Sequence, residues 1–221
     1  MDVHSIPTTT HGRVLIRHAT ASGAHGLLVG FHGYMENAAI QLARLEAIPG
    51  AAAWTLLSVQ GLHRFYRARS QEVIASWMTR EDREDAIADN IAYVDNALRL
   101  VASEARASLV HVGFSQGVAM AFRAALRGER SAAGVIAIAG DVPPELLADA
   151  ACAFPPVLLV RGEADEWYTA AKLDVDVAAL RLRGVDVEVM VHRGGHDWTP
   201  AVADAAGAWL TRIHYDESVR P

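Results

Sequence analysis

Short apolar runs alternate along the chain with longer stretches in which apolar residues recur every three or four positions. The runs predict buried strands at residues 12–18, 27–31, 54–59, 109–112, 133–139, 157–161 and 185–191. The longer stretches have the spacing of helices and cover residues 37–47, 85–105, 116–127, 169–182 and 201–213. Because strands and helices alternate, the sequence predicts an α/β fold with a mostly parallel central sheet and helices on both faces.

Two connections between these elements bear on a binding site. Residues 60–86 form the longest irregular stretch, and long ordered connections over an α/β scaffold often shape binding sites. The connection between the strands at 133–139 and 157–161 is too short for a helical lid, so we expect an open cleft with no large lid. No repeat or linker divides the sequence, which predicts a single domain over residues 1–221.

The composition excludes several classes of function. The chain is 52% apolar and carries a net charge of −6 without a basic patch, so we expect no nucleic-acid partner. No apolar run reaches the length of a membrane span, and the first residues lack the pattern of a signal peptide. The single cysteine, Cys152, excludes an internal disulfide and suits a cytoplasmic location. The sequence leaves open whether the chain forms a homodimer.

The most informative stretch is residues 109–121, which read LVHVGFSQGVAMA. An apolar strand is followed by a G-x-S-x-G sequence, Gly113 to Gly117, and then by helix-forming residues. This arrangement is typical of a sharp strand-to-helix turn that exposes a nucleophilic serine, with glycines where side chains would collide. The sequence therefore predicts Ser115 as a catalytic nucleophile.

A serine hydroxyl needs a neighbouring base that accepts its proton, and histidine does this near neutral pH. In hydrolases with this turn the histidine follows the last strand of the sheet, and His196 stands there after two glycines. His192 is the alternative, although its position near the strand end is more typical of a structural residue. We therefore predict His196 as the general base.

The imidazole in turn needs an acid that fixes its tautomer and stabilises its protonated form. Asp165 lies in the loop after the second strand that follows the serine turn, which is the usual place for this acid. Asp141 and Glu163 are alternatives that are more typical of turn or surface carboxylates. We therefore predict Asp165 as the acid, and the order Ser115, Asp165, His196 is a stronger signal than any one of its parts.

Negative charge that develops on a carbonyl oxygen needs fixed hydrogen-bond donors, usually two backbone N–H groups. Gln116 follows the nucleophile at a predicted helix N-terminus, where the helix dipole also favours an anion. The second amide is expected from the loop after the strand at 27–31, which reads His32-Gly33-Tyr34. We predict Tyr34 as this donor, with Met35 as the alternative.

Together these residues resemble the phospholipase/carboxylesterase family of α/β-hydrolases, which includes the acyl-protein thioesterases. The resemblance extends from about residue 27 to residue 210 and rests on FHG at 31–33, GFSQG at 113–117, Gly162 with Asp165, and Gly195 with His196. It implies an α/β-hydrolase fold and that Trp77 lines the acyl side of the cleft. The chain departs from the family pattern at Val118, at Tyr34-Met35-Glu36 and at Trp167-Tyr168. We expect the bulky side chains of Tyr34, Trp167, Tyr168 and Trp198 to line and reshape the substrate pocket.

The sequence thus predicts a serine hydrolase that cleaves small-molecule carboxylic esters or thioesters through an acyl-enzyme and needs no cofactor. A metal site would rest on His192, His196 and Asp197 alone, whose loop spacing without a further ligand is weak, so we expect none. The alternative from another class is a hydrolase-fold protein that binds a small ligand without turnover.

Overall fold

The computed structural model describes residues 1–21, 25–101 and 108–219, with residues 214–219 described by their backbone only. The strands are β1 (Arg13–Arg17), β2 (Gly26–Phe31), β3 (Trp54–Gln60), β4 (His63–Tyr66), β5 (Val73–Ser76), β6 (Ser108–Phe114), β7 (Gly134–Ile138), β8 (Val157–Gly162) and β9 (Val187–His192). The helices are α1 (Ala38–Glu46), α2 (Arg83–Arg99), α3 (Gln116–Arg127), α4 (Pro144–Ala148), α5 (Ala170–Leu182) and α6 (Pro200–Val219).

Seven of these strands form a single sheet in the order β1-β3-β2-β6-β7-β8-β9. Every neighbouring pair is parallel except β1 and β3, which are antiparallel. The strands in the middle of the sheet, such as β2, are buried along their whole length because helices cover both of their faces. The carboxyl ends of the parallel strands lie at one edge, and loops at that edge form binding sites in open α/β sheets.

Each face of the sheet carries its own apolar core. One core combines the sheet with side chains of α2, α3 and α5, and the other with side chains of α1 and α6. The α/β-hydrolase fold, with a mostly parallel central sheet and helices on both faces, is thereby confirmed. Within residues 139–156 the only helix is α4, of five residues, so this connection holds no large lid, as expected.

Several predicted elements differ from the structure, and the helix predicted over 201–213 extends to Val219. The stretch at 60–86, expected to be irregular, contains the antiparallel hairpin β4–β5, in which His63 pairs with Ser76 and Tyr66 with Val73. The helix predicted over 85–105 begins two residues earlier and ends at Arg99, and residues 102–105 of the prediction lie outside the described chain. Residues 22–24, which follow β1, also lie outside it.

His111 lies in the middle of β6 and is fully buried. We therefore expect the stability of the fold to fall in acid. Burial lowers the pKa of His111 to about 4, although a hydrogen bond to the Ala121 carbonyl opposes this effect. The unfolded chain, with a histidine pKa near 6.5, binds more protons between these values, so the free energy of unfolding falls as the pH drops through this window. We expect this histidine to account for a loss of about 2–3 kcal/mol between about pH 7 and pH 4.5.

Urea unfolding of the wild type and of His111→Leu at both pH values measures this contribution. The variant should lose less stability on acidification, because it has no imidazole to protonate in the unfolded state. Equal losses in the two proteins would contradict the assignment.

Candidate active site

Ser115 stands between β6 and α3 in a backbone conformation that side chains rarely adopt, with φ 53° and ψ −122°. Its amide donates to the Ile138 carbonyl of the neighbouring strand at 2.9 Å, which fixes the turn to the sheet. The turn also requires glycine at position 117, since a Cβ atom there would lie 2.1 Å from the Phe31 carbonyl oxygen. The hydroxyl therefore projects from a rigid turn at the carboxyl edge of the sheet.

The three predicted catalytic side chains are brought together from three separate loops. His196 Nε2 lies 2.8 Å from Ser115 Oγ, and His196 Nδ1 lies 2.9 Å from Asp165 Oδ2. Both distances are normal hydrogen-bond lengths. With Nδ1 donating to the carboxylate, Nε2 is free to accept the serine proton, which is the tautomer that base catalysis requires.

The Asp165 carboxylate is fully buried, and its two oxygens have different partners. Oδ2 accepts from His196, whereas Oδ1 accepts from the backbone amides of Trp167 and Tyr168 at 2.8 and 2.9 Å. These amides hold the carboxylate in one orientation. The loop after β8 thus presents an immobilised carboxylate to the imidazole.

The alternative residues lie in other environments. Asp141 is half-exposed and forms an ion pair with Lys172 at 2.9 Å, and Glu163 is exposed. His192 is buried at the end of β9, where its Nε2 lies 4.0 Å from an Asp197 oxygen. None of these three side chains has a hydrogen bond to Ser115 or His196 within the described chain.

The amides of the loop after β2 distinguish between the two oxyanion candidates. Met35 donates its N–H to the Ala75 carbonyl at 3.1 Å, and Gly33 donates to the Glu36 carboxylate at 2.8 Å. The Tyr34 amide has no hydrogen-bond partner in the part of the chain that the structure describes, and it lines the same cleft as Ser115. The Gln116 amide opens α3, where helix geometry leaves N–H groups unpaired. Within the described residues, Tyr34 and Gln116 therefore each have a free amide N–H beside Ser115.

His32 and Glu36 fix the loop that carries Tyr34. His32 Nδ1 donates to the Gly33 carbonyl, and His32 Nε2 accepts the Gly61 N–H at 3.0 Å, a pattern that needs a neutral ring. Burial lowers the pKa of His32 and so favours this neutral form. On the other side, the Glu36 carboxylate binds both the Gly33 amide and the Arg44 guanidinium, the latter through contacts of 2.6 and 2.7 Å.

Replacing Glu36 should impair the chemical step. We expect Glu36→Ala to lower kcat by up to about 100-fold, because a small displacement of a catalytic donor has an effect of that size. In Glu36→Gln the side-chain oxygen still accepts the Gly33 N–H, so the loss should be much smaller. Steady-state kinetics of both variants, with exposed Glu46→Ala as the control, test this, and an unchanged kcat in Glu36→Ala would contradict it.

The Gln116 side chain has a structural role that the sequence did not reveal. Its Nε2 donates to the Met78 carbonyl and the Ser76 hydroxyl, and its Oε1 accepts the Trp77 amide at 3.1 Å. These hydrogen bonds thus connect the turn at Ser115 to the end of the β4–β5 hairpin. A glutamine after the serine was visible in the sequence, but its partners lie about 40 residues away and no local pattern identifies them.

With this geometry established, we compared the chain with known proteins. The model of the Dienelactone hydrolase family matches residues 58–217, which is more than two thirds of the chain. The chain belongs to the Dienelactone hydrolase family. No curated protein gave a significant sequence match.

Several solved structures that are similar to this chain are named as esterases or thioesterases. The crystal structure of esterase PE8 matches with a TM-score of 0.71 and 23% identity and covers 92% of this chain and 100% of that one. Zea mays acyl-protein thioesterase 2 matches with a TM-score of 0.73, 19% identity and the same coverages. The Bacillus cereus carboxylesterase matches with a TM-score of 0.68 and 18% identity, covering 91% and 94%. These likenesses confirm the α/β-hydrolase fold, and carboxylesterases and thioesterases are among its structural neighbours, as the sequence resemblance implied.

Two of the predicted pocket aromatics are not in the pocket. Trp77 is completely buried among α2, α3 and β2, where its indole Nε1 donates to the His32 carbonyl at 2.8 Å. Tyr168 is also completely buried, and its hydroxyl donates to Asp176 at 2.9 Å. The expectation that these two rings line the substrate cleft is therefore corrected: Trp77 supports the loop after β2, and Tyr168 supports the loop after β8.

The other two tryptophans line two clefts that share Ser115 and His196. Trp167, 74% exposed, lines a cleft of about 310 Å³ together with four charged side chains: Arg83, Arg123, Asp141 and Lys172. Trp198 lines a second cleft of about 460 Å³ beside Tyr34, Glu36 and Arg44. Both clefts are open to solvent and rich in polar groups, so the nucleophile is accessible from two sides.

The described residues contain no group of three or more side chains that could hold a metal ion. None of the helices in the same part of the chain is both long and apolar enough to cross a membrane.

Proposed function

We propose that the protein is a serine hydrolase that cleaves carboxylic esters or thioesters through an acyl-enzyme. The observation that carries this proposal is the continuous hydrogen-bonded chain from Asp165 through His196 to Ser115, with distances of 2.9 and 2.8 Å. A buried carboxylate, an imidazole in the basic tautomer and a serine on a strained turn are the parts that nucleophilic acyl transfer requires.

In the first half of the proposed reaction, Ser115 Oγ attacks the acyl carbon while His196 Nε2 takes the hydroxyl proton. The carbonyl electron pair moves to oxygen, and the resulting oxyanion accepts hydrogen bonds from the Gln116 and Tyr34 amides. The carbon–oxygen or carbon–sulfur bond then breaks, and the imidazolium gives its proton to the departing alcohol or thiol. Asp165 stabilises the imidazolium throughout this half-reaction.

In the second half, water replaces the leaving group. His196 takes one proton from this water, and the hydroxide attacks the acyl-serine to form a second oxyanion in the same site. Its collapse returns the proton from His196 to Ser115 and releases the carboxylic acid. The three side chains carry out the cycle without a cofactor, and we propose that none is used.

We also infer a single domain over residues 1–221, because no linker divides the sequence. The lone Cys152 supports a cytoplasmic location. The net charge of −6 without a basic patch supports the absence of a nucleic-acid partner.

Hydrolysis of three substrate series tests the proposed activity: p-nitrophenyl esters from acetate to palmitate, the matching acyl thioesters, and simple lactones, which are cyclic esters. We expect turnover in at least one series, and the ratio of kcat/KM between esters and thioesters assigns the leaving group. Absence of turnover in all three series, in a protein shown to be folded, would contradict the proposal. That result would favour a binding protein that captures a small ligand in the same cleft.

A further inference from the structure

Helix α5 presents an apolar stripe to solvent. Ala171, Val175, Ala178 and Leu182 follow one another at steps of four, three and four residues, which places them on one face of the helix. All four are exposed, and Leu182 is 90% and Val175 66% exposed. The buried residues of α5 lie on the opposite face, so this stripe has no role in the core of its own subunit.

The stripe is complementary to itself when two copies of α5 run antiparallel. A two-fold axis between positions 176 and 177 places Val175 opposite the partner's Ala178 and Ala171 opposite the partner's Leu182. Each large side chain then faces a small one, an arrangement that lets two helices pack closely. The contact extends over about 16 Å of helix.

The charges beside the stripe are complementary in the same arrangement. Asp174 and Arg181 lie on one flank of α5, and neither has an ion-pair partner within the described residues. In the antiparallel pair Asp174 and the partner's Arg181 lie on the same flank, about 3 Å apart along the helix axis, which the long arginine side chain spans, and the symmetry repeats this ion pair. On the other flank, Lys172 is paired with Asp141, and Arg183 donates to the carbonyls of Leu147, Asp149 and Cys152, so both cations have partners in their own subunit.

A groove beside the stripe provides space for the largest exposed side chain. It measures about 400 Å³ and lies between α4 and α5, where Pro144 and Leu147 face Ala171 and Val175. The partner's Leu182, placed opposite Ala171, points at the mouth of this groove. Burial of this leucine side chain stabilises the contact, and the symmetry provides the burial twice.

We propose that the exposed face of α5 is the interface of a homodimer, with two copies of the helix packed antiparallel about a two-fold axis. Such an interface is isologous, since the same patch serves both subunits. A single helix pair buries less than the usual 1,200–2,000 Å² or so of a stable complex, so the dimer should be weak and reversible. The proposal concerns a surface separate from the catalytic side chains and does not depend on the proposed activity.

Sedimentation velocity of the full chain over a wide concentration range tests the proposal. The wild type should shift from monomer to dimer as concentration rises, and Leu182→Glu should raise the dissociation constant at least about tenfold, which corresponds to about 1.4 kcal/mol. Leu100→Glu, at a 68% exposed leucine outside α5, is the matched control and should leave the equilibrium unchanged. Circular dichroism verifies that each variant is folded.

A charge exchange tests the antiparallel register. Asp174→Arg and Arg181→Asp should each weaken the dimer, because like charges then face each other, and the double variant should restore it. A wild type that stays monomeric at every concentration would overturn the proposal. So would a dimer that is insensitive to Leu182→Glu or equally sensitive to Leu100→Glu, or a double variant that is no tighter than the single ones.

Discussion

The Ser115→Ala variant is expected to lose about a million-fold in kcat. This factor applies when the nucleophile of a hydrogen-bonded triad is removed, because the base and acid then have no group to activate. Alanine and serine meet the same backbone restriction at φ 53°, and the change removes only the hydroxyl, so the fold should persist. The variant should therefore bind substrate and fail to turn it over.

Steady-state kinetics on the best substrate of the three series measure this loss, and the melting temperature verifies the fold. Ser70→Ala, at an exposed serine in the β4–β5 turn, is the control and should retain wild-type activity. A Ser115→Ala variant with activity within about tenfold of wild type would show that a different group attacks the substrate.

The second large effect is expected from Asp165→Asn, which should lower kcat about ten-thousand-fold. The Trp167 and Tyr168 amides bind Oδ1 and would bind the amide oxygen of asparagine in the same way. The asparagine NH2 group would then face His196 Nδ1 and force this nitrogen to accept. The proton would move to Nε2, where it blocks removal of the serine proton.

A matched substitution at Asp141 separates this acid from its nearest alternative. Asp141→Asn removes an ion pair with Lys172 at the rim of the cleft and should change kcat only slightly. The two variants are compared by kcat and by the pH profile of kcat/KM. A mild loss of kcat in Asp165→Asn, together with a severe loss in Asp141→Asn, would show that Asp141 is the acid.

The middle of the central sheet could be predicted from sequence because its strands are rich in apolar residues and buried. A run such as residues 27–31 has few alternatives to a strand covered on both faces, and the helix at 116–127 follows a turn whose glycines are explained by close backbone approach. The order of the three candidate catalytic residues could also be predicted from the sequence, because each one follows the carboxyl end of a strand.

Other features depend on contacts between distant parts of the chain. The β4–β5 hairpin has exposed side chains along β4, so no apolar alternation marks it as a strand. Its position is fixed by the Gln116 side chain, whose partners lie at residues 76–78. No local rule connects these two segments, and the hairpin was therefore predicted as an irregular connection.

The aromatic residues show a further limit of sequence reasoning. Trp77 and Tyr168 lie next to candidate site segments in the sequence, as Trp167 and Trp198 do, and the sequence therefore predicts all four in the pocket. In the structure the first two point into the core, and each donates a hydrogen bond to a buried acceptor there. Adjacent positions in a loop, such as 167 and 168, can face opposite directions, and only the packing of the helix behind them decides which one faces the cleft.

The most direct test of the account is covalent labelling with a fluorophosphonate, which reacts only with a serine whose hydroxyl is activated. The intact protein should gain the mass of one probe less HF, because the serine oxygen displaces fluoride from phosphorus. Peptide mapping should place the adduct on Ser115, and His196→Ala should label far more slowly than the wild type. A folded wild type that takes up no probe, or takes it up on another residue, would contradict the claim that Ser115, His196 and Asp165 act together as a nucleophilic triad.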